Sequence, residues 1–249
     1  MWRNVQRWRG VVLIAIAVIA TVWMAVGNQL VLYIHPRYIV FTVIMAAIAI
    51  ALVVASMLVR PDHDDDDENP SARSRVLSVV ALVVAGGVAI AMVALPPATL
   101  TSATAGQRDI TSTTVGAQTQ SVSDAEGASD AVFAGFTVAD WSSLLRQTTD
   151  LSFYAAKPVD VVGFITPDPD DPQNVFYVSR FVVTCCAVDA QPTGIPVYMP
   201  NWPDSFATDD WVHVTGEFAA NSSRLSKQGI ALTPTAVDEV DQPSEPYLY

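Results

Sequence analysis

Three long stretches without a single charge set the first limit on what this chain can fold into. Residues 11–26, "VVLIAIAVIATVWMAV", run up to Gly27-Asn28-Gln29 and are followed by "LVLYI". Residues 38–59, "YIVFTVIMAAIAIALVVASMLV", form the second stretch, and residues 76–95, "VLSVVALVVAGGVAIAMVAL", the third, closed by Pro96-Pro97. A helix crossing the hydrocarbon core of a bilayer needs about 20 apolar residues, and these runs approach or meet that length. A buried helix of a soluble protein keeps a polar stripe, which these lack. The pattern therefore predicts three transmembrane helices within residues 1–97, consistent with a mean hydropathy of +0.34. Arg3, Arg7 and Arg9 precede the first run as they would in a signal peptide. The apolar stretch is long and no small-x-small cleavage site follows it, so a retained anchor is expected.

Charge placement gives an orientation. Arg3, Arg7 and Arg9 lie before the first span, and Arg60, Arg73 and Arg75 flank the loop between the second and third; only Arg37 falls in the first loop. The positive-inside rule puts the N-terminus and the second loop in the cytoplasm. Three crossings then carry everything after Pro97 to the far side of a cell membrane. That portion, residues 98–249, holds six Lys or Arg against nineteen Asp or Glu. Such an acidic surface argues against binding nucleic acid, which needs clustered positive charge, and against docking on anionic lipid heads.

Residues 98–131 are dominated by Thr, Ser, Ala, Gly and Gln. They offer too little apolar surface to offset ordering entropy, so they read as a flexible linker. Order returns at Phe133. "FTVADWSSLLRQT" predicts a short helix with Thr137 as N-cap, Asp140 three residues on, and Trp141, Leu144 and Leu145 as an apolar stripe. Five β-like runs follow, at 158–165, 175–188, 194–199, 211–220 and 230–240, separated by Gly, Pro, Asn and Asp. Five strands and one helix point to a small all-β domain over 132–249, an OB-like closed or half-closed barrel. A β-sandwich usually needs about seven strands.

Several stretches carry a resemblance. "YIHPRYIVF" at 33–41, a His/Asp loop after the second span, "FYVSRFVVTCCAVDAQP" at 176–192, "DDWVHVTGEF" at 209–218 and "PSEPYLY" at 243–249 together resemble the YcgQ-like family of bacterial membrane proteins. Members are described as permease subunits, commonly encoded beside a multi-spanning permease of the YcgR-like type. The resemblance implies a role in a membrane complex of a bacterial plasma membrane, with that permease and the bilayer as partners. It implies no catalytic residue list. The family's loop is often rich in histidine, whereas here "PDHDDDDENP" has one, which weakens the transfer of soft-metal binding to it.

Candidate sites are few. Cys185 and Cys186 are the only cysteines, placed side by side in a run that reads as strand. Neighbours in a strand point to opposite faces. The pair reads as packed thiols, as a strained vicinal disulfide or redox pair, or as thiolate metal ligands with Asp189 or His213 as further donors by type. His213 itself alternates away from Val212 and Val214 and is expected on a solvent-facing side of its strand. In the loop between the second and third spans, His63, Asp64, Asp65, Asp66 and Asp67 read as a solvated acidic turn or a weak divalent-metal site. His35, Pro36 and Arg37 read as a hairpin turn between spans, framed by Tyr33 and Tyr38 at the interface, or as a docking point for a partner permease. No Ser/His/Asp arrangement, phosphate loop or dinucleotide fingerprint is present in the sequence, so no enzyme activity is expected. The function expected is an accessory subunit of a membrane permease complex, whose external domain assists or senses a substrate such as a divalent metal ion. The alternative is an extracytoplasmic thiol, redox or metal-sensing protein that needs no permease.

Overall fold

The computed structural model describes residues 2–58, 99–106, 121–125 and 127–249, with nine single positions between 76 and 91. The chain divides into two units, Met1–Ala98 and Thr99–Tyr249.

In the first unit, helix α1 spans Trp2–Val26 and helix α2 spans Ile39–Leu58, and the two pack on each other. Helix α1 ends where Asn28 takes up a left-handed φ of 53°, a conformation that Asn tolerates better than most residues. The Gly27 and Gln29 amides then donate to the last carbonyls, Trp23 O and Met24 O. Two short 3-10 turns, Leu30–Leu32 and Pro36–Tyr38, make the connection to α2. Pro36 starts the second because its fixed φ suits a first helical position and its missing N–H is not needed there.

The segment Pro36–Ala55 is 20 residues long and strongly apolar, with only 6% of it buried. At 1.5 Å per residue it covers about 30 Å, the thickness of a bilayer's hydrocarbon core. Its Thr42 hydroxyl donates to Tyr38 O, as Thr21 in α1 donates to Ala17 O. Each hydroxyl is thus satisfied within its own helix, as apolar surroundings require.

The expectation of three spanning helices is met here only in part. Among the described residues one helix is long and apolar enough to cross a membrane, and the apolar part of α1, Ile14–Val26, is shorter. The third expected span lies mostly outside the described residues; the positions described there are helical.

The C-terminal unit is built on six strands: β1 Val159–Pro167, β2 Val175–Val182, β3 Gln191–Tyr198, β4 Trp211–Ala220, β5 Ile230–Glu239 and β6 Tyr247–Leu248. They form one mixed sheet in the order β1-β4-β5-β3-β2-β6, with β1 also paired to β2. The β3–β5 and β2–β6 pairings are parallel and the rest antiparallel. This corrects the expectation of a clean five-stranded barrel. A sixth strand comes from the tail, and the β3–β5 seam is held by one registered pair, Val197 with Leu232.

Strand β1 serves two neighbours in succession. Val159–Phe164 pair with β4 and Phe164–Pro167 with β2. Gly163 sits at the changeover. A Cβ there would lie 2.6 Å from Ser179 O and 2.8 Å from Val178 Cγ1, so only glycine lets β2 come this close.

Helix α3, Val138–Gln147, lies against β3, β2 and β1. Its start is the one read from the sequence: the Thr137 hydroxyl accepts from Asp140 N, and the Asp140 carboxylate accepts from Thr137 N. Trp141 and Leu144 from this helix are fully buried with Tyr154, Ile165, Phe176 and Ile195 in the main core. Stacked and edge-on ring contacts join Trp141 to Phe133, Phe136 and Phe218. Truncating a buried tryptophan such as this costs about 3–5 kcal/mol.

A second, smaller core gathers Phe164, Phe181, Val183, Ala190, Tyr247 and Ala105. Ala105 belongs to the 98–131 stretch, as does Ala125, which is buried in the main core. Two further bonds involve described residues of that stretch: Ser102 N donates to Asp209 Oδ1 and Val122 N to Gln147 Oε1.

Candidate functional site

The two cysteines do not lie in a strand. The apolar run continues through Val188, but β2 stops at Val182. The cause is Asp189. Its Oδ1 accepts the Thr184 amide at 3.0 Å, and its Oδ2 accepts the Cys185 and Cys186 amides at 2.7 and 3.2 Å. One carboxylate thereby satisfies three successive backbone donors that a strand would have paired elsewhere. Cys186, extended at φ −155°, caps a 3-10 turn over Ala187–Asp189, and its carbonyl oxygen accepts the Asp189 amide at 2.9 Å. The residue type and spacing of a capping box, with Asp three positions after the cap, is the sequence signal for this turn.

Chain direction therefore reverses around the carboxylate, and side chains that would have alternated in a strand come together. The Cys185 and Cys186 sulfurs and an Asp189 carboxylate oxygen all lie within 4.8 Å of one another. Both cysteines are thiols; Cys185 is exposed and Cys186 half-buried. The loop stands on two buried feet, Val183 and Ala190, both in the second core, while Val188 at its tip is 83% exposed. Val183 is fixed further by its amide, which donates to Leu248 O in β6. The result is a short, polar, anchored loop that presents two sulfurs and one carboxylate toward solvent.

His213, a candidate donor by residue type, is not part of this group. It lies on β4, and its Nε2 is 2.6 Å from Asp160 Oδ1 on β1, with both side chains substantially exposed. Asp189 thus lies beside the cysteines, while His213 faces Asp160 on the neighbouring strand.

The turn at 35–37 is ordered by its own contacts. His35 Nδ1 accepts the Arg37 amide at 3.1 Å, and the Arg37 guanidinium lies 4.8 Å from the centre of the Tyr38 ring. His63, Asp64, Asp65, Asp66 and Asp67 lie outside the described residues.

Two arrangements carry more than the sequence suggested. Arg180 is 8% exposed, with Nη1 donating to Val162 O, Nη2 donating to Glu245 O and the guanidinium over the Trp211 ring. Burial pulls it down to about 10, while the nearby Tyr249 acts in the opposite sense. It thus remains a cation throughout the physiological range and holds the tail that supplies β6. Tyr249, in turn, is pushed up to about 12, chiefly by burial.

The second arrangement joins the β1–β2 and β4–β5 loops. Buried Asp168 accepts the Ser226 hydroxyl at 3.0 Å, and buried Asp171 accepts the Ser223 hydroxyl at 2.6 Å. Lys227 pairs with Asp170 at 2.8 Å. Serine carries no periodic or charge signal, so nothing in the sequence marks residues 223 and 226 as partners of acids more than 50 positions earlier.

No curated protein and no solved structure matches the chain. Residues 129–249, which hold α3, all six strands and the thiol loop, match the family model described as the DUF1980 C-terminal domain.

Proposed function

We propose that this protein is an accessory subunit of a membrane transport complex, a YcgQ-like partner of a multi-spanning permease of the YcgR-like type. In this reading three spans anchor it in a bacterial plasma membrane with the N-terminus in the cytoplasm. The C-terminal unit, an OB-like barrel, stands on the outer side and offers the Cys185–Cys186–Asp189 loop to a substrate.

The observation that carries the reading is Pro36–Ala55, which includes most of α2: a 20-residue apolar segment with 6% of its length covered, in a chain whose C-terminal unit has cores of its own. Val40, Phe41 and Leu52 are each more than 60% exposed. Water does not tolerate such a surface over a whole helix, whereas lipid or a partner's spans would cover it. The OB-like assignment is supported by the circuit of pairings β1-β2-β3-β5-β4, which returns to β1. His35, Pro36 and Arg37 at the start of the apolar segment are the proposed point of contact with the permease.

The test is co-purification of the chain with its neighbouring permease after mild detergent extraction. A chain that migrates alone in native gels while the permease is present refutes the partnership. Sidedness has its own measurement, since the chain has only two cysteines and Cys185 is exposed. A membrane-impermeant maleimide should label intact cells, and labelling only after lysis would place the domain in the cytoplasm. The second reading, a thiol or metal-sensing protein acting without a permease, is favoured by the exposure of that loop, and a solitary but externally labelled chain would select it.

A further inference from the structure

The thiol loop has the composition and openness of a metal exchange site, and its donors separate one class of ion from another. Two sulfurs and a carboxylate disfavour Mg²⁺ and Ca²⁺, which take oxygen ligands, and favour a thiophilic cation. Asp189 retains capacity to ligate. Its Oδ2 accepts two amides but Oδ1 accepts one, so a lone pair on Oδ1 remains available. The same amide bonds fix the carboxylate in place, which is how a supporting shell presets a ligand.

Distances fit a small closure. Tetrahedral zinc with Zn–S near 2.3 Å sets its sulfurs roughly 3.8 Å apart. The donor atoms here lie within 4.8 Å of one another, so rotation of the exposed Cys185 side chain by a fraction of a turn brings them into range. Among the described residues no fourth His, Cys, Asp or Glu joins the group. Structural zinc sites are closed by four protein ligands, whereas sites that act on or pass on their ion leave a position open.

We propose that Cys185, Cys186 and Asp189 form an exchange site for a thiophilic d¹⁰ cation, with Zn²⁺ as its cargo. The two sulfurs and Asp189 Oδ1 supply three ligands, and the fourth position takes water or a ligand from the acceptor. This deepens the transport-subunit reading by naming the substrate class, and it rests on that reading only for the identity of the acceptor. Binding converts the thiols to thiolates and releases up to two protons to solvent; no electron is transferred. Affinity accordingly falls as the medium becomes more acidic. The exposed Val188 beside the site gives an approaching partner an apolar foothold.

Cadmium titration of the purified full-length chain in detergent, with thiols reduced beforehand, tests the proposal. Thiolate-to-cadmium charge transfer absorbs in the ultraviolet, and because the chain has only these two cysteines the band reports this loop alone. The expected result is saturation at one Cd²⁺ per chain, reversed by Zn²⁺, with slowed maleimide labelling of Cys185. C185S and C186S should each weaken binding at least about tenfold, and D189N, which keeps an amide acceptor but loses the charge, by roughly 10–100-fold. Absence of the band in the reduced wild type, or a single serine variant with wild-type affinity, overturns the proposal. A chain that binds Cd²⁺ but never co-purifies with a permease overturns the subunit reading and leaves the site standing. One that co-purifies but shows no band overturns the site alone.

Discussion

Replacing Gly163 by alanine should open the C-terminal sheet at the point where β1 changes partners. The added Cβ would meet Ser179 O at 2.6 Å, Val178 Cγ1 at 2.8 Å and Ser179 N at 3.1 Å. Ordinary carbon contacts lie near 3.5–4.0 Å, so β2 must retreat by roughly 1 Å. The Phe164–Ser179 pair is the first of the β1–β2 ladder and would be stretched beyond hydrogen-bonding range. Overpacking costs about 1–3 kcal/mol and each lost ladder bond about 1 kcal/mol, which gives a destabilisation of about 2–4 kcal/mol. For a unit of this size that is a fall in Tm on the order of 6–12 °C. Near-ultraviolet circular dichroism of the full chain in detergent reads it, since Trp141, Trp202 and Trp211 all lie in this unit. Gly229→Ala is the control, because its Cβ would meet nothing within 4 Å. A Gly163→Ala protein melting within about 2 °C of wild type would refute the claim that this close approach shapes the sheet.

Other perturbations follow from the same contacts. Ser226→Ala should cost about 1–3 kcal/mol, because buried Asp168 loses a donor, whereas Lys227→Ala should stay within about 0.5 kcal/mol, since that pair is exposed; denaturant midpoints compare them. Arg180→Met should cost about 1–3 kcal/mol, because Val162 O and Glu245 O each lose a donor. It should also speed amide exchange at Tyr247 and Leu248, whose strand loses the anchor at Glu245 O, and unchanged exchange there would remove Arg180 from that role. Tyr249 has a folded pKa raised from 10.0 to about 12, and Tyr154 is raised as well, both chiefly by burial. Unfolded tyrosine therefore loses its proton first, so stability is full below pH 10 and falls between pH 10 and 12; Tyr249→Phe should flatten that decline in a pH series of melting curves.

Much of the C-terminal fold was legible because its signals are local. Thr137 and Asp140 mark the start of α3 by their own chemistry, and the strands at 211–220 and 230–239 lie within a residue of where β-branched residues and turn formers put them. The readings that needed correction depend on distant or competing partners. The run from Val175 to Val188 is rich in β-branched and aromatic residues to its end, and the carboxylate of Asp189, reaching back to three amides, ends the strand before the cysteines. That carboxylate also overturns the alternation that would have set Cys185 and Cys186 on opposite faces. Strand β6 is two residues long and rests on Arg180 and Phe181, far away in sequence, so no periodicity announces it. Residue type alone groups His213 with the cysteines, and residue type carries no information about which strand lies beside which.

The Leu100 amide donates to the Tyr247 hydroxyl at 3.3 Å, and both residues belong to the second core or pack against it. The two ends of the C-terminal unit thus meet at one corner. Such a unit behaves as a cassette: it can be spliced into a surface turn of a host protein with both seams side by side, or circularly permuted through a short bridge from 249 to 99. Tension applied along the chain would load the brief β6 pairing first and would peel away the terminal tyrosines before it sheared β1 to β5.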